Sequence, residues 1–465
     1  MENAIKSTPT IAAIATPPGV GAIAVIRISG PGAFQISDQV FTSRKGKLAN
    51  ATSHTAYFGV IRANGQIIDE VIALIFKGPS SFTGDDTVEF SCHGSTYIQK
   101  EILNILIQHG AQPAKPGEFT MRAFMNRKMD LAQAEAVGDL IASDTKLSHQ
   151  LALKQMRGGF SKEINLLREQ LIHFASLLEL ELDFSEEDVE FADRSQLLQL
   201  IDRIVTKTTS LSDSFREGNV IKKGIPVAIT GKPNAGKSTL LNLLLNDDRA
   251  IVSDIAGTTR DTIEEEISLG GMKYRFIDTA GIRESTDTIE QIGVTKTFEK
   301  IQEAAVVIYL FDPSETSPAE LTEILDAIYV SKSGDNFILI PVANKSDKYN
   351  TAYASDQYAA IADTIFISAK NHSGIDNLMN RIISVSEKYQ LNEADIILTN
   401  SRHKFHLDQT TEALQAARTG LQSKLATDLI AIEIRSALMY LGEITGSITT
   451  DDLLENIFSK FCIGK

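Results

Sequence analysis

The sequence predicts a multidomain chain of mixed class, α+β at the N-terminus and α/β in the middle, with helical blocks flanking the α/β part. Three observations carry this. The chain has 465 residues, too many for one hydrophobic core. Its apolar period changes near Ala123, near Lys222 and again near Glu387. Between 222 and 385, strand-like and helical runs alternate, as in a parallel sheet covered on both faces.

Residues 1–122 mix β-branched runs with turn signals. Ala22–Ile28, Val71–Phe76 and Thr87–Phe90 read as strands; Gly78-Pro79 follows the second and Thr83-Gly84 precedes the third. A helix is expected over Thr96–His109, closed by Gly110. This is a small α+β domain. In 123–221, Phe160, Ile164, Leu167, Leu171, Phe174 and Leu178 step by four and three, onto one helix face. Leu197, Ile201, Ile204, Leu211 and Phe215 make a second stripe. In 386–465, Leu414, Ala417, Leu421 and Leu425 make a third, and Ile430, Ile434, Ala437 and Leu441 a fourth. Single amphipathic helices cannot bury their apolar faces alone. The simplest expectation is one discontinuous helical bundle with residues 222–385 inserted into it; two separate helical pieces are the alternative.

Composition narrows the class. With 43% hydrophobic and 23% charged residues the chain reads as an ordinary soluble protein. Its longest apolar run, Ala304–Phe311, falls far short of a bilayer span, and Met1–Thr10 has no leader-like pattern, so no membrane association is expected. Two cysteines, Cys92 and Cys462, cannot form a disulfide framework, which fits a cytoplasmic location. Cys92 and His93 have no further ligands at metal spacing, so no zinc site is expected. A net charge of −15 argues against non-specific nucleic-acid binding over the whole surface and leaves room for a local basic patch.

The chemistry concentrates in 222–385. Gly231-Lys-Pro-Asn234-Ala235-Gly236-Lys237-Ser238 follows the strand Pro226–Thr230 and opens the helix Thr239–Leu245. In such a loop the backbone N–H groups wrap phosphates, Lys237 reaches the β and γ phosphates, and the Ser238 hydroxyl ligates Mg²⁺. Asp278-Thr279-Ala280-Gly281 ends the strand Tyr274–Ile277; its carboxylate holds Mg²⁺ through water and the Gly281 N–H senses the γ-phosphate. Asn344-Lys345-Ser-Asp347 ends the strand Phe337–Val342, and the Asp347 carboxylate accepts two N–H groups that guanine has and adenine lacks. Ser368-Ala369-Lys370 follows Thr364–Ile367 and supports the base carbonyl. Each motif is weak alone. Together and in order they specify a Ras-like P-loop GTPase domain for GTP and Mg²⁺. In Gly257-Thr258-Thr259-Arg260-Asp261, Thr259 is the expected switch ligand to Mg²⁺. Arg260 is either a built-in arginine finger or a solvated loop charge. Ile282 stands where many switch GTPases carry a water-orienting Gln, so another group must place the water.

Several blocks together resemble the bacterial tRNA modification GTPase family MnmE (TrmE) over essentially the full length. They are Thr16-Pro-Pro-Gly19 with Arg27-Ile-Ser-Gly30; Ser81-Phe-Thr-Gly84 leading to Glu89 and His93-Gly94; Pro116-Gly-Glu-Phe119; Leu131-Ala-Gln-Ala-Glu135; Lys232–Gly236; Asp254–Asp261; and Phe461-Cys-Ile-Gly-Lys465. The resemblance implies an N-terminal folate-binding domain that forms a homodimer. It implies a flavin (FAD) partner protein, MnmG or GidA, with which a heterotetramer is expected. The implied activity adds a carboxymethylaminomethyl-type group to C5 of the wobble uridine of certain tRNAs, with carbon from a 5,10-methylene- or 5-formyl-type tetrahydrofolate.

Site roles follow from the same resemblance. Asn234 looks like a side-chain ligand to K⁺, with Ser253, Ile255 and Thr258 completing the cation site, and Glu290 like the water-orienting acid. Read by itself, Glu290 is an exposed helix carboxylate. Arg27, Glu89, Lys128 and Lys465 align with folate contacts, where the bland alternative is surface charge. Cys462 aligns with a functional Cys, the bland alternative being a small buried residue. For tRNA phosphates the candidate patches are Lys115, Arg122, Arg127 and Lys128, and Arg402, His403 and Lys404. A GTP-controlled ribosome-assembly or signalling switch without modification chemistry is the competing function.

Overall fold

A computed structural model of the chain describes residues 8–183, 193–246, 251–252, 265–277, 301–332, 337–349, 356–359, 361, 363–389 and 396–465. The chain divides into two compact units. One comprises Met1–Ile141, Leu153–Val205 and Gln409–Lys465; the other comprises Ala142–Ala152 and Thr206–Asp408.

The first unit opens with a seven-stranded sheet: β1 (Ile11–Ile14), β2 (Ile23–Ser29), β3 (Phe41–Ser43), β4 (Thr55–Ala63), β5 (Gln66–Phe76), β6 (Thr87–His93) and β7 (Gln112–Pro113), in the order β3-β4-β5-β6-β2-β1-β7. Only the β1–β7 edge is parallel. Alternation decides its faces. Ala24, Ile26 and Ile28 of β2, Val88, Phe90 and Cys92 of β6, and Val71, Ala73 and Ile75 of β5 are buried, in one core with residues of helices α1 (Ala33–Val40) and α2 (Thr96–Gln108). Helix α2 stops at His109 and Gly110, whose φ of 108° ends the helix as expected. The opposite face carries Arg27 and Glu89, paired in register, and next to Glu89 comes Leu74.

The same unit holds a helical part drawn from both ends of the chain. Helix Gly159–Asp183 packs along helix Thr427–Thr445. Phe160, Ile164, Leu167, Leu171 and Leu178 are buried on the first, and Ile430, Ile434, Ala437 and Leu441 on the second. Ion pairs Glu179–Arg435 (3.0 Å) and Asp202–Arg418 (2.9 Å) cross between the early and late segments. The first and fourth stripes therefore bury against each other, joining an early and a late segment of the chain. Leu425 departs from its stripe: helix Ser401–Gln422 ends before it, and its side chain is exposed.

The second unit contains β8 (Ile225–Thr230), β9 (Ile251–Val252), β10 (Glu265–Leu269), β11 (Met272–Ile277), β12 (Val306–Phe311), β13 (Ile338–Ala343) and β14 (Ile365–Phe366), in the order β14-β13-β12-β8-β11-β10-β9. The five strands from β14 to β11 run parallel, and β10 is antiparallel to both of its neighbours. Buried on both faces, β12 reads as a continuous apolar run, Val-Val-Ile-Tyr-Leu-Phe. Strand β8 lies between β11 and β12, so the strands that follow it are added on one side and then on the other. In such a sheet the crevice at the carboxyl ends of the strands is where ligands bind. Leu147 and Leu151, from the segment 142–152, pack into the same core as Tyr274 and Met272.

Candidate nucleotide site and a second charged cluster

The loop after β8 is shaped by backbone that side chains rarely adopt. Gly231 has φ 147° and lies so near β12 that a Cβ there would sit 2.0 Å from the Leu310 carbonyl oxygen. Gly236, at φ 99°, caps helix Lys237–Leu245, and Asn234 takes a left-handed φ of 61°. This helix N-terminus presents backbone N–H groups and the positive end of a dipole to an anion. Lys237 folds over the loop, donating from Nζ to the carbonyls of Gly231 (2.8 Å) and Lys232 (2.9 Å). Burial lowers its ammonium pKa. Ser238 and Thr239 follow in the first turn.

Three loops at the carboxyl edge are tied by one amide. Buried Asn344 donates from Nδ2 to the Ala235 carbonyl (2.8 Å) and accepts at Oδ1 from the Ala369 N–H (3.0 Å). It thereby joins the phosphate loop to the segments after β13 and β14. Asp347 accepts from the Ser368 hydroxyl at 2.6 Å, and that bond holds its carboxyl below the usual range, with help from Lys370 and Lys348. Its ionised form is the one that can accept two N–H groups from a base. Lys345, at φ 64°, pairs with Asp312 at 2.8 Å. Burial opposes ionisation of Asp312, but bonds from Lys345 and Ser314 outweigh it and lower its pKa. Sequence reasoning missed Asp312. The signal was a carboxylate directly after a strand, at the edge where the other strands end in motifs. Ser253, Ile255, Thr258, Thr259, Arg260, Asp278, Thr279, Ala280, Gly281, Ile282 and Glu290 lie outside the described residues.

A second cluster forms on the open face of the N-terminal sheet. Arg27 Nε meets Glu89 at 2.8 Å, while its Nη1 donates to the Gly464 carbonyl at 3.4 Å. Its guanidinium lies over the rings of Phe82 (5.5 Å) and Phe119 (5.4 Å). The C-terminus is pinned there by main chain: the Phe119 N–H donates to Lys465 (3.2 Å) and the Gly117 N–H to Cys462 (3.4 Å). Gly464, at φ 97°, passes so close to β1 that a Cβ would come within 2.4 Å of the Ile14 oxygen. Lys128 donates to the Pro79 carbonyl at 2.8 Å. The two aromatic rings were missed by sequence reasoning, although both sit inside the motif blocks. Cys462 is exposed, not a small core residue, whereas Cys92 is buried. Burial, then the Asp69 charge, pushes the Cys92 thiol up to about 11.

The basic patches need correction. Arg122 is buried and bonded to Glu118 at 2.8 Å, and His403 is buried, so neither presents its side chain to a phosphate. Lys404 is paired with Asp408 at 2.6 Å. Lys115, Arg127 and Lys128 are exposed.

Residues 131–462 match the family model of the MnmE helical domain, and residues 10–128 that of the GTP-binding protein TrmE N-terminus. The chain is 55% identical over 458 residues to the tRNA modification GTPase MnmE of Cytophaga hutchinsonii, covering 98% of each. It is 52% identical over 460 residues to that of Flavobacterium psychrophilum, covering 98% of this chain and 99% of the relative. Among solved structures, Era in complex with MgGDPNP and 16S ribosomal RNA nucleotides aligns with 40% of this chain and 66% of its own, at 28% identity and a TM-score of 0.25. With family models and relatives agreeing along nearly the whole length, the chain belongs to the MnmE (TrmE) family of tRNA modification GTPases.

Proposed function

We propose that this chain hydrolyses GTP in the service of tRNA modification, adding a carboxymethylaminomethyl-type group to C5 of the wobble uridine together with a flavin partner protein. The observation that carries the GTP reading is the Asn344 amide, which locks the phosphate loop to the base-reading loops around Asp347. Nucleoside analysis by mass spectrometry of tRNA from a deletion strain tests the whole reading. Loss of the C5 modification is expected, and its persistence would favour a switch without modification chemistry.

The residues present suit the groups this reading requires. Ser238 supplies a hydroxyl oxygen at the helix start, the donor type Mg²⁺ takes. Mg²⁺ would neutralise charge on the phosphates; the chain's own share is Lys237 at the phosphate oxygens and Asp347 at the base edge. Asn234, exposed at a left-handed position of the loop, supports a K⁺ site. Turnover is therefore expected to be faster in KCl than in NaCl at equal ionic strength, and equal rates would remove the cation site. Glu290, standing in for the missing Gln, orients the water. Glu290→Ala is expected to bind GTP normally and hydrolyse it at least about tenfold more slowly in single turnover with saturating K⁺. A wild-type rate would return attention to Arg260.

A tetrahydrofolate suits the Arg27 cluster. Glu89 has an oxygen left for the amino edge of a pterin, Phe82 and Phe119 offer rings, and Lys128 and the C-terminal Lys465 suit a glutamate tail. Calorimetry with 5-formyltetrahydrofolate is expected to show binding at least about tenfold weaker for Glu89→Ala. Unchanged affinity there and in Arg27→Ala would put the site elsewhere. Cys462, exposed beside this cluster, supports a role near the one-carbon unit. Homodimerisation is supported by Ile23, Phe58, Ile72 and Leu74, apolar and exposed on the N-terminal sheet. No helix among the described residues is long and apolar enough to cross a membrane.

A further inference from the structure

Helices Gly159–Asp183 and Arg194–Asp213 leave between them a groove of about 540 Å³, within the size range of small-ligand clefts. Spacing supplies its walls. Gln170, His173 and Phe174 stand at i, i+3 and i+4 on the first helix, and Gln196, Gln199 and Arg203 at i, i+3 and i+7 on the second. The composition is unusual for this chain. Asp and Glu outnumber Lys and Arg by 60 to 45, yet among the described residues no carboxylate lines the groove. Three primary amides, a guanidinium, an imidazole, a half-buried phenyl ring and buried Leu200 line it instead.

That set matches the chemistry of an unstacked nucleotide. Each glutamine amide carries donors and an acceptor and so can pair with the edge of a base, which an ionised carboxylate or a lysine can do only in part. Phe174 and His173, with ring centroids 5.7 Å apart at 72°, offer a face and an edge against which a base can pack. Arg203, whose Nη2 donates to Gln170 Oε1 at 3.0 Å, is held across the groove where a phosphate or a base would meet it. Gln196, Gln199 and His173 are exposed, so these groups face solvent and are not spent on the helix–helix core; Gln196 Nε2 donates to Asp193 Oδ2 at 3.0 Å. A purely structural explanation accounts for the Arg203–Gln170 bond and for Gln196, whose amide donates to Asp193, but not for exposed Gln199 beside His173 and Phe174.

We propose that this groove seats an unpaired nucleotide segment of tRNA; the proposal rests on the tRNA reading above. It supplies base contacts to a protein whose anticipated phosphate patches are partly buried. Equilibrium binding of unmodified tRNA to the full chain tests it. Phe174→Ala, which removes the ring without changing charge, and the double variant Gln196→Glu, Gln199→Glu are each expected to weaken binding about tenfold with GTP turnover unchanged, the first by losing a stacking face and the second by setting carboxylates against a polyanion. The control Thr209→Glu, Ser210→Glu places the same charge on exposed positions of the same helix outside the groove and is expected to leave affinity within about twofold. Wild-type affinity in both groove variants would overturn the groove while leaving the tRNA reading intact, as would equal losses in groove and control variants. If both groove variants lost affinity for the flavin partner but kept it for tRNA, the groove would be a protein-docking site and the proposal would fall. Absence of any tRNA binding by the unaltered chain would overturn both readings.

Discussion

Asp347→Asn is expected to lower affinity for GTP by roughly 10³-fold or more while affinity for xanthosine triphosphate rises. The carboxylate is held ionised by the Ser368 hydroxyl at 2.6 Å, with Lys370 and Lys348 adding to the effect. It is thus an acceptor at both oxygens, and guanine presents two N–H groups to it. The amide turns one acceptor into a donor, and that donor then opposes an N–H of the base. A site built to hydrogen-bond a substrate group rejects a mismatched partner by about 10⁴–10⁵, so a 10³ loss is a conservative floor. Xanthine carries a carbonyl where guanine carries the amino group, which suits the new donor. Titration with both nucleotides measures the exchange. A GTP affinity within tenfold of wild type would mean that Asp347 does not read the base.

Gly236→Ala is expected to weaken GTP binding by at least roughly 30-fold without unfolding the parallel sheet. Two costs add. The residue holds φ 99°, where an L side chain costs about 1–2 kcal/mol. Its Cβ would also sit 2.3 Å from Asn344 Nδ2, forcing that amide off the Ala235 carbonyl. A buried donor or acceptor left unsatisfied costs about 1–3 kcal/mol. The sum, about 2–5 kcal/mol, falls on the loop that must wrap the phosphates, and each 1.4 kcal/mol is a factor of ten in affinity. Circular dichroism checks that the fold survives, and nucleotide titration reads the loss. Normal binding would show that the loop can rearrange without the Asn344 tie. Asn344→Ala separates the two costs, because it removes the tie and places no side chain at the positive φ of Gly236.

How far each feature was legible depended on the span of chain that builds it. The nucleotide motifs were legible because each is a short contiguous stretch whose backbone does the work: Gly231 to Ser238 closes one turn, and Asn344 to Asp347 ends one strand. The helix stripes were legible for the same reason, since the 3.6-residue period is local, and they failed where a helix ended first: at Leu425, beyond helix Ser401–Gln422, and at Phe215, beyond helix Arg194–Asp213. Strands β1, β3, β4, β7, β9 and β10 went unread. All but β4 are two to five residues long, and strands that gain their stability from neighbours in the sheet leave little local pattern.

By itself, then, the sequence determined the fold class, the GTPase motifs and the family, all of which rest on local spacing. The tertiary structure alone decided which distant groups meet. Arg27 reaches Glu89 across 62 positions, and Gly464 across 437, because strand register and the returning C-terminus bring them together. It removed Arg122 and His403 from the candidate phosphate contacts by burying them, and it placed Leu147 and Leu151 in the core of the parallel sheet. It also made Asn344 the tie between Ala235 and Ala369, a role its own motif does not reveal. The physical reason is the same throughout. Periodicity records which face of an element is apolar, whereas burial, ion pairing and loop-to-loop hydrogen bonds depend on what packs against that face.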